Sequence, residues 1–462
     1  EQSICLVVRD ADAEAAVAAL EAAFDAELRR GDVSRVYAIP ESAVVSAVGD
    51  QMRHQPGLAG RMFATLGRSG VNVLAIAQGA AETNISAVVR DDEVAHAVRA
   101  LHEAFPMRRT RAHVAVIGTG TVGRRLLDML GAQAPALLDG HRLNLRLVGL
   151  ANSRRMALDA DGIAPADALA RLGDGDAADL DAFVAWLLES RLERLMVVDA
   201  TASAEVARRY VELLEHGIGV VTPNKRANTL DLAYYRRLRE AAQRREVSYH
   251  YETTVMAGLP VMFTLRDLLR SGDRIERIEG IFSGTLAYLF TRLGQGAAFS
   301  EAVAEARAKG LTEPDPRDDL RGEDVARKLL ILAREIGLAV ERADVAVESL
   351  VPFHLAEGSV EDFLEGLKET DADWQQRVAA AGAEGARLFY VGLIEDGRLS
   401  VGVRAIAAGS PFDALQGTDN VILIRSERYH ETPLVVQGPG AGPDVTAAGL
   451  LADLVKAAEL MP

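Results

Sequence analysis

The sequence predicts an α/β protein: a doubly wound nucleotide-binding domain, an α+β domain joined to it, and a repeated α+β region in front. Three stretches carry that prediction. Gly118, Gly120 and Gly123 stand between an apolar run and an apolar-periodic segment. Residues 4–24 align without gaps on residues 85–105. Residues 310–329 place a proline-stiffened acidic loop before a helix.

Length and composition agree with this. A chain of 462 residues suggests about three domains, each able to bury a core. A net charge of −16 argues against a nucleic-acid or anionic membrane partner. No apolar run is long enough to span a bilayer, and no signal peptide is visible. Cys5 is the only cysteine, which excludes an intrachain disulfide or thiolate metal cluster and fits a reducing cytoplasm.

In the front region both copies read as a strand, an Arg-Asp turn and an Ala-rich helix ending in Phe. The second copy is preceded by a strand over 43–48, a helix over 57–67 and a strand over 71–78. Together these make a β-α-β-β-α unit whose sheet is covered on one face. The first copy lacks that front half and the chain opens on Glu-Gln-Ser, so an upstream segment is expected in the natural protein. This order, with Gly-Val-Asn-Val-Leu-Ala-Ile-Ala-Gln-Gly-Ala-Ala-Glu at 70–82, resembles ACT regulatory domains. The resemblance implies an amino-acid effector near Asn72 and Gln78, held through their amides; both amides could equally tie a sheet edge to a turn. The region is assigned to residues 1–107, its first repeat incomplete.

After a basic stretch, residues 108–112, a buried strand runs into Gly118-Thr119-Gly120-Thr121-Val122-Gly123 and a helix. Glycines there permit a tight turn, close approach to a pyrophosphate and helix–strand packing, with the helix N-terminus facing phosphate. The next strand, 145–150, ends in Ala-Asn152-Ser-Arg154-Arg155. It offers no carboxylate for ribose hydroxyls; Arg154 and Arg155 favour a 2′-phosphate, hence NADP(H) over NAD(H), unless they are solvated turn residues. Two further strand ends, with Thr201 after one and Thr222 and Lys225 after the other, complete a Rossmann-type sheet over 112–256. Residues 437–462, a Gly-rich turn with Gly442 opening a helix, return to complete it.

Pro314 and Pro316 flank Asp315 and predict a stiff extended loop over 313–319. In the helix beginning near Glu323, Asp324 and Lys328 lie one turn apart beside an apolar stripe, while Arg327 and Arg334 point away from it. Such a pair is commonly a solvated ion pair. Beside a rigid acidic loop it reads as a lysine with a tuned pKa.

The run Gly310-Leu-Thr-Glu-Pro-Asp-Pro-Arg-Asp-Asp-Leu, followed by Asp324-Val-Ala-Arg-Lys328, resembles the signature of homoserine dehydrogenases, and the likeness extends from about residue 112 to the end. It shows no departure at the catalytic positions. With the ACT-like front, the chain resembles the carboxyl-terminal part of a bifunctional aspartate kinase–homoserine dehydrogenase. The resemblance implies a catalytic and dimerisation domain over 257–436. It also implies NAD(P)H-dependent reduction of L-aspartate 4-semialdehyde to L-homoserine in the cytoplasm, with threonine as feedback effector. Lys328 would be the general acid, Asp324 its orienting partner, and Lys225 the group polarising the carbonyl. Glu313 and Asp319, with Thr285 beside them, would hold the substrate. Glu252 and the carbonyls of Val255, Ala257 and Leu259 would bind sodium. A homodimer or homotetramer is expected. The rival reading is an amino-acid-sensing protein with an inert dehydrogenase part, against which intact Lys225, Asp324 and Lys328 argue.

Overall fold

The computed structural model describes residues 4–48, 57–78, 84–104, 110–415 and 417–461. The chain divides into two compact units, Glu1–Arg109 and Thr110–Pro462. Phe105, Arg108, and the Gly79–Glu82 end of the ACT-like motif lie outside the described residues.

In the first unit, β1 (Ser42–Val48), β2 (Ala75–Gln78) and β3 (Asn84–Arg90) form an antiparallel sheet in the order β1-β3-β2. Alternation along β3 sends Ile85, Ala87 and Val89 inward to meet Met62 and Leu66 of the helix Leu58–Arg68 and Ala97 and Leu101 of the helix Val94–Ala104. The opposite face exposes Val44 and Val48, so one face is covered, as the sequence pattern predicts. The first copy departs from expectation. Residues 4–9 form no strand, and Ile4, Leu6 and Val7 are exposed. Its counterpart β3 is paired on both edges, whereas no described residue pairs with 4–9, and a lone strand leaves its backbone groups unsatisfied. The alanine-rich helix Ala13–Ala23 still forms, because its hydrogen bonds are local, but it buries no residue.

The second unit holds two sheets. The first contains β4 (Thr110–Ile117), β5 (Leu143–Ala151), β6 (Arg155–Ile163), β7 (Asp176–Ala177), β8 (Leu195–Asp199), β9 (Gly219–Val221) and β10 (Tyr249–His250), in the order β10-β9-β8-β4-β5-β6-β7. The five strands from β10 to β5 are parallel, and the runs 114–117, 147–151, 195–198 and Gly219–Val221 are apolar and buried, as burial on both faces requires. The order reverses at β4, whose carboxyl end is therefore the crevice where such sheets bind ligands. The remaining edge is antiparallel. Asn152 Oδ1 accepts the N–H of Arg154 and of Arg155, each at 2.8 Å, folding the chain straight back without a crossover helix. The helix Pro443–Leu460 packs Ala447, Leu450 and Leu454 into the same core as Leu126, Leu127 and Leu130 of the helix Thr121–Gly140.

The second sheet comprises β11 (Ile275–Ile281), β12 (Val345–Val347), β13 (Ala386–Glu395), β14 (Arg398–Ala407), β15 (Asp419–Ser426) and β16 (Leu434–Pro439), ordered β12-β14-β13-β11-β15-β16. All neighbours are antiparallel except β12 and β14. The helix Glu323–Glu335 lies in the shared core, with Val325, Leu329 and Leu332 buried. Arg334 differs from the expectation of an outward side chain: it is buried because every part of its guanidinium finds an acceptor.

Candidate active site

The glycine-rich turn is shaped by contacts that only glycine permits. Gly118 has φ +99°, and a Cβ there would lie 2.8 Å from the Ala200 carbonyl group. A Cβ on Gly123 would come within 1.9 Å of the Gly118 oxygen, so this glycine lets helix and strand touch. Gly120 is different: nothing lies within 4 Å of its missing Cβ, which leaves open space where a pyrophosphate approaches the helix N-terminus. Thr119, Gly120 and Thr121 line an open pocket of about 540 Å³ whose far wall is Pro443 and Asp444. Val122 is half-buried behind it. Gly442, at φ +128°, caps the helix beginning at Pro443, so two helix N-termini border the pocket. An Arg125–Asp444 ion pair links them.

At the end of β5, Asn152 Nδ2 donates to Thr119 Oγ1 at 3.3 Å. Arg155 donates to the Gly175 carbonyl at 2.9 Å and is spent on the protein. Arg154 is exposed, and no side-chain bond or ion pair of its own is found among the described residues. Of the two arginines, Arg154 is the one with its guanidinium free.

What holds the next two loops is not legible in the residue pattern. Asp199 is fully buried, and its carboxylate accepts from Thr201 N–H (2.8 Å), Asn224 Nδ2 (2.8 Å) and the Tyr210 hydroxyl. Burial pushes its pKa up, against the hydrogen bonds that favour the anion. Asn224 also donates to the Ser203 carbonyl at 2.8 Å, so one buried carboxylate ties the loop carrying Thr201 to the loop carrying Lys225. Thr222 belongs to this network: its hydroxyl donates to the Asp199 carbonyl and accepts the N–H of Asn224, each at 2.9 Å, and it is fully buried. The hydroxyl therefore serves the loop's architecture rather than facing a nucleotide.

Lys225, at the start of the helix Arg226–Thr229, converges with Asp324 and Lys328, which share the helix Glu323–Glu335. Lys225 Nζ lies 3.1 Å from Asp324 Oδ1, and Lys328 Nζ lies 2.9 Å from Asp324 Oδ2. Lys328 also donates to the Phe282 carbonyl at 2.6 Å, where β11 ends. Desolvation pushes the pKa of Lys328 down; Asp324 opposes this, and the charge of Lys225 adds to it. Desolvation works against the Asp324 anion, but the ammonium groups of Lys328 and Lys225 outweigh it and hold this carboxylate well below the usual range. Lys328 is buried while Lys225 is partly exposed. A buried amine with lowered proton affinity, sharing its nearest anion with a second lysine, gives up its proton more readily than a free lysine.

The acidic loop sits beside this array, with two differences from expectation. It is extended only in part, since Arg317–Leu320 forms a helical turn that carries Asp319. Asp315 faces Arg317, which donates to both its oxygens at 2.7–3.0 Å, so its role is to brace the loop. Asp319 accepts the Glu313 N–H at 2.8 Å, and Glu313 is exposed. Burial raises the pKa of Asp319, with the charges of Glu313 and Asp324 adding to the effect; a cation placed there would relieve it. Thr285 donates to the Leu311 carbonyl, anchoring the loop to the helix Gly284–Gly294.

Glu252 is buried, and its carboxylate accepts the N–H groups of Val261 (2.6 Å), Met262 (2.7 Å) and Phe263 (2.9 Å), capping the helix Met262–Arg270. Met256 and Ala257 both adopt left-handed backbone (φ 60° and 51°). Among the described residues no hydrogen bond reaches the carbonyls of Val255 or Ala257, although both residues are buried; that of Leu259 accepts the Val261 N–H at 2.9 Å. Two carbonyls of buried residues, without a described donor and near a carboxylate in sequence, fit a hard monovalent cation. In the first unit Asn72 is exposed just before β2, and Gln78 ends that strand.

A reversing parallel sheet with a glycine-rich turn at its switch point, beside a crevice holding two lysines on one carboxylate, is the architecture of a dinucleotide-binding protein. Residues 118–252 match the homoserine dehydrogenase NAD-binding domain, residues 260–455 match homoserine dehydrogenase, and residues 45–105 match the ACT domain. The chain belongs to the homoserine dehydrogenase family. It is 41% identical over 461 residues to a chloroplastic bifunctional aspartokinase/homoserine dehydrogenase of Zea mays, covering 99% of this chain and 50% of that protein. The chain spans about half the length of the curated relatives it matches. A crystal structure of a Candida auris protein of unknown function superimposes with a TM-score of 0.71 at 37% identity, covering 76% of this chain and 99% of that one. A hyperthermophilic archaeal homoserine dehydrogenase in complex with NADPH shares the fold, with a TM-score of 0.59 at 23% identity, covering 76% of this chain and 99% of that one. No helix among the described residues is long and apolar enough to cross a membrane.

Proposed function

We propose that the chain reduces L-aspartate 4-semialdehyde to L-homoserine with NADPH, favoured over NADH. The observation that carries this reading is the shared carboxylate: Asp324 holds Lys225 at 3.1 Å and Lys328 at 2.9 Å across the crevice. The bound nicotinamide supplies the hydride. As the aldehyde is reduced its oxygen gains negative charge, and two ammonium groups are at hand to meet it. Lys225 polarises the carbonyl. Lys328, whose proton affinity burial lowers, gives its proton to the oxygen, and Asp324 keeps both lysines aimed. Glu313 and Asp319 take the substrate ammonium, which suits an acidic loop facing a zwitterion. Gly118–Gly123, Thr201 and Gly442 receive the nucleotide, and exposed Arg154 takes the 2′-phosphate. Glu252 with the carbonyls of Val255, Ala257 and Leu259 holds sodium, joining the end of the nucleotide sheet to the start of the second domain.

Residues 45–105, as an ACT domain, take threonine near Asn72 and Gln78. The enzyme is a cytoplasmic homodimer or homotetramer, and its full-length form also carries aspartate kinase. The test is NADPH absorbance with aspartate semialdehyde, with and without threonine. Oxidation suppressed by threonine supports both parts of the reading. Oxidation indifferent to threonine removes the sensor, and no oxidation leaves an amino-acid-sensing protein with an inert dehydrogenase part.

A further inference from the structure

The helix Glu323–Glu335 carries Asp324 and Lys328 in its first turns and Arg334 at its other end. The Arg334 side chain is 0% exposed, which a guanidinium tolerates only when its donors are paired. Its partners account for the burial. Nη1 donates to the carbonyls of Asn228 at 2.8 Å and Leu230 at 2.7 Å, Nε to that of Val340 at 3.0 Å, and Nη2 to the Glu341 carboxylate at 2.8 Å. Asn228 and Leu230 end the short helix Arg226–Thr229, and the residue capping the start of that helix is Lys225. Carbonyls at a helix end lack intrahelical donors and carry partial negative charge, so a buried cation suits them. The other Glu341 oxygen accepts the N–H of Leu232 at 2.7 Å, where the helix Leu232–Arg245 begins. One guanidinium and one carboxylate thus grip both sides of the turn at Leu230 and Asp231, between the short helix that follows Lys225 and the next helix.

Lys225 stands on the nucleotide-binding side and Asp324 on the other, so their contact depends on how the two are aligned. Lys225 is 30% exposed and Asp324 49%, and an ion pair so open to water contributes too little to fix that alignment by itself. At the far end of the helix the Arg334 guanidinium is buried, so its bonds to the Asn228, Leu230 and Val340 carbonyls are less screened, although the Glu341 side chain is 47% exposed. We propose that Arg334 is a positioning residue that sets Lys225 against Asp324 by anchoring the end of the Lys225-bearing segment to the helix that carries Asp324 and Lys328. It touches neither substrate nor cofactor and acts through Lys225. The inference rests on the reading of these three residues as the catalytic array.

The perturbation is Arg334→Met, with Arg334→Lys and Glu341→Gln beside it. A misplacement of about 1 Å can cost about a hundredfold in rate; R334M is expected to lose kcat on that scale while KM for the aldehyde and NADPH binding change little. A lysine offers one point charge where a planar fork is needed, so R334K restores activity only in part. The pH profile separates positioning from general loss of stability. The charged groups acting on Lys328 are Asp324 and Asp319, which raise its proton affinity, and Lys225, which lowers it. Displacing Lys225 therefore moves the alkaline limb of kcat/KM to higher pH, as Lys225→Ala also does, and R334M adds no further shift in the Lys225→Ala background. An unmoved limb, with kcat falling only as folded protein is lost, would overturn the proposal, as would additive shifts. If R334M does not fold, E341Q carries the same readouts. Crystal structures of wild type and variant provide a measure independent of turnover: Lys225 Nζ and Asp324 are expected to part beyond ion-pair contact. Should wild type fail to oxidise NADPH with the aldehyde, the functional reading falls while this separation still decides the inference, and retained contact refutes it.

Discussion

Replacing Lys328 by alanine separates chemistry from binding. The ammonium donates to Asp324 and to the Phe282 carbonyl, and it lies in a buried position. Its loss leaves that carbonyl without its described partner, a cost of about 1–3 kcal/mol in stability, partly offset because an ammonium no longer has to be desolvated. A protein of this size tolerates that, and Lys328→Met, which keeps the volume, serves as the packing control. For the reaction the loss is larger. Removing a positioned proton donor costs about 10²–10⁴-fold, or about 3–5 kcal/mol of transition-state stabilisation, and Lys225 remains to polarise the carbonyl. The glycine-rich turn from Gly118 to Gly123 is untouched, so NADPH affinity, read by fluorescence quenching, should hold. The assay is single-turnover NADPH oxidation in both variants. Turnover at the wild-type rate in Lys328→Ala would refute the assignment of the general acid, and a loss of turnover that tracks a loss of NADPH binding would refute the separation of roles.

Three further outcomes follow from the geometry. Arg154→Ala is expected to weaken NADPH by about 1–2 kcal/mol, roughly 5- to 30-fold, the value being discounted for an exposed arginine; NADH should change little, and equal losses would remove the 2′-phosphate argument. Gly123→Ala drives a Cβ into the Gly118 carbonyl and should lower stability by about 3 kcal/mol in a denaturant titration. Gly120→Ala, with open space around it, should leave the melt unchanged and impair only cofactor binding. Burial, and then the charges of Arg266, Lys456 and Arg270, push the pKa of His250 down to about 3. The unfolded chain therefore takes up this proton first as pH falls. The stabilisation is complete above about 6.5 and is lost progressively toward 3, so wild type should lose about 2 kcal/mol more between pH 7 and pH 5 than His250→Phe does. Parallel stability curves would contradict this.

What could be read in the sequence was what local spacing controls. Three glycines between strand and helix, and an Asp and a Lys one helical turn apart, have a geometry set within a few residues and are found as expected; the proline-braced acidic run is extended only in part and turns helical at Arg317–Leu320. The partners that come from far along the chain were invisible. Asp199 reads as a polar strand end, yet its carboxylate is consumed by Tyr210 and Asn224. Arg334 lies off the apolar stripe of its helix, and only folding brings the Asn228 and Leu230 carbonyls to it. Asp315 differs, since its partner is local: the arginine two residues on takes both its oxygens. The strand expected at residues 4–9 failed for the complementary reason: its pattern is right, and no neighbour among the described residues pairs with it.

The helix Pro443–Leu460, which lies against the helix of the glycine-rich turn, has a consequence for how this enzyme can be made and edited. Ribosomes deliver residues in order, so the pocket wall formed by Pro443 and Asp444 emerges long after the sheet it covers. Until then Leu126, Leu127 and Leu130 lack the apolar surface that buries them, and a late, distant contact of this kind slows folding and exposes the nascent chain to aggregation. For the same reason the cofactor-binding half cannot be transplanted as a contiguous cassette: a gene fragment ending near residue 256 would encode every strand of the sheet and still lack its lid.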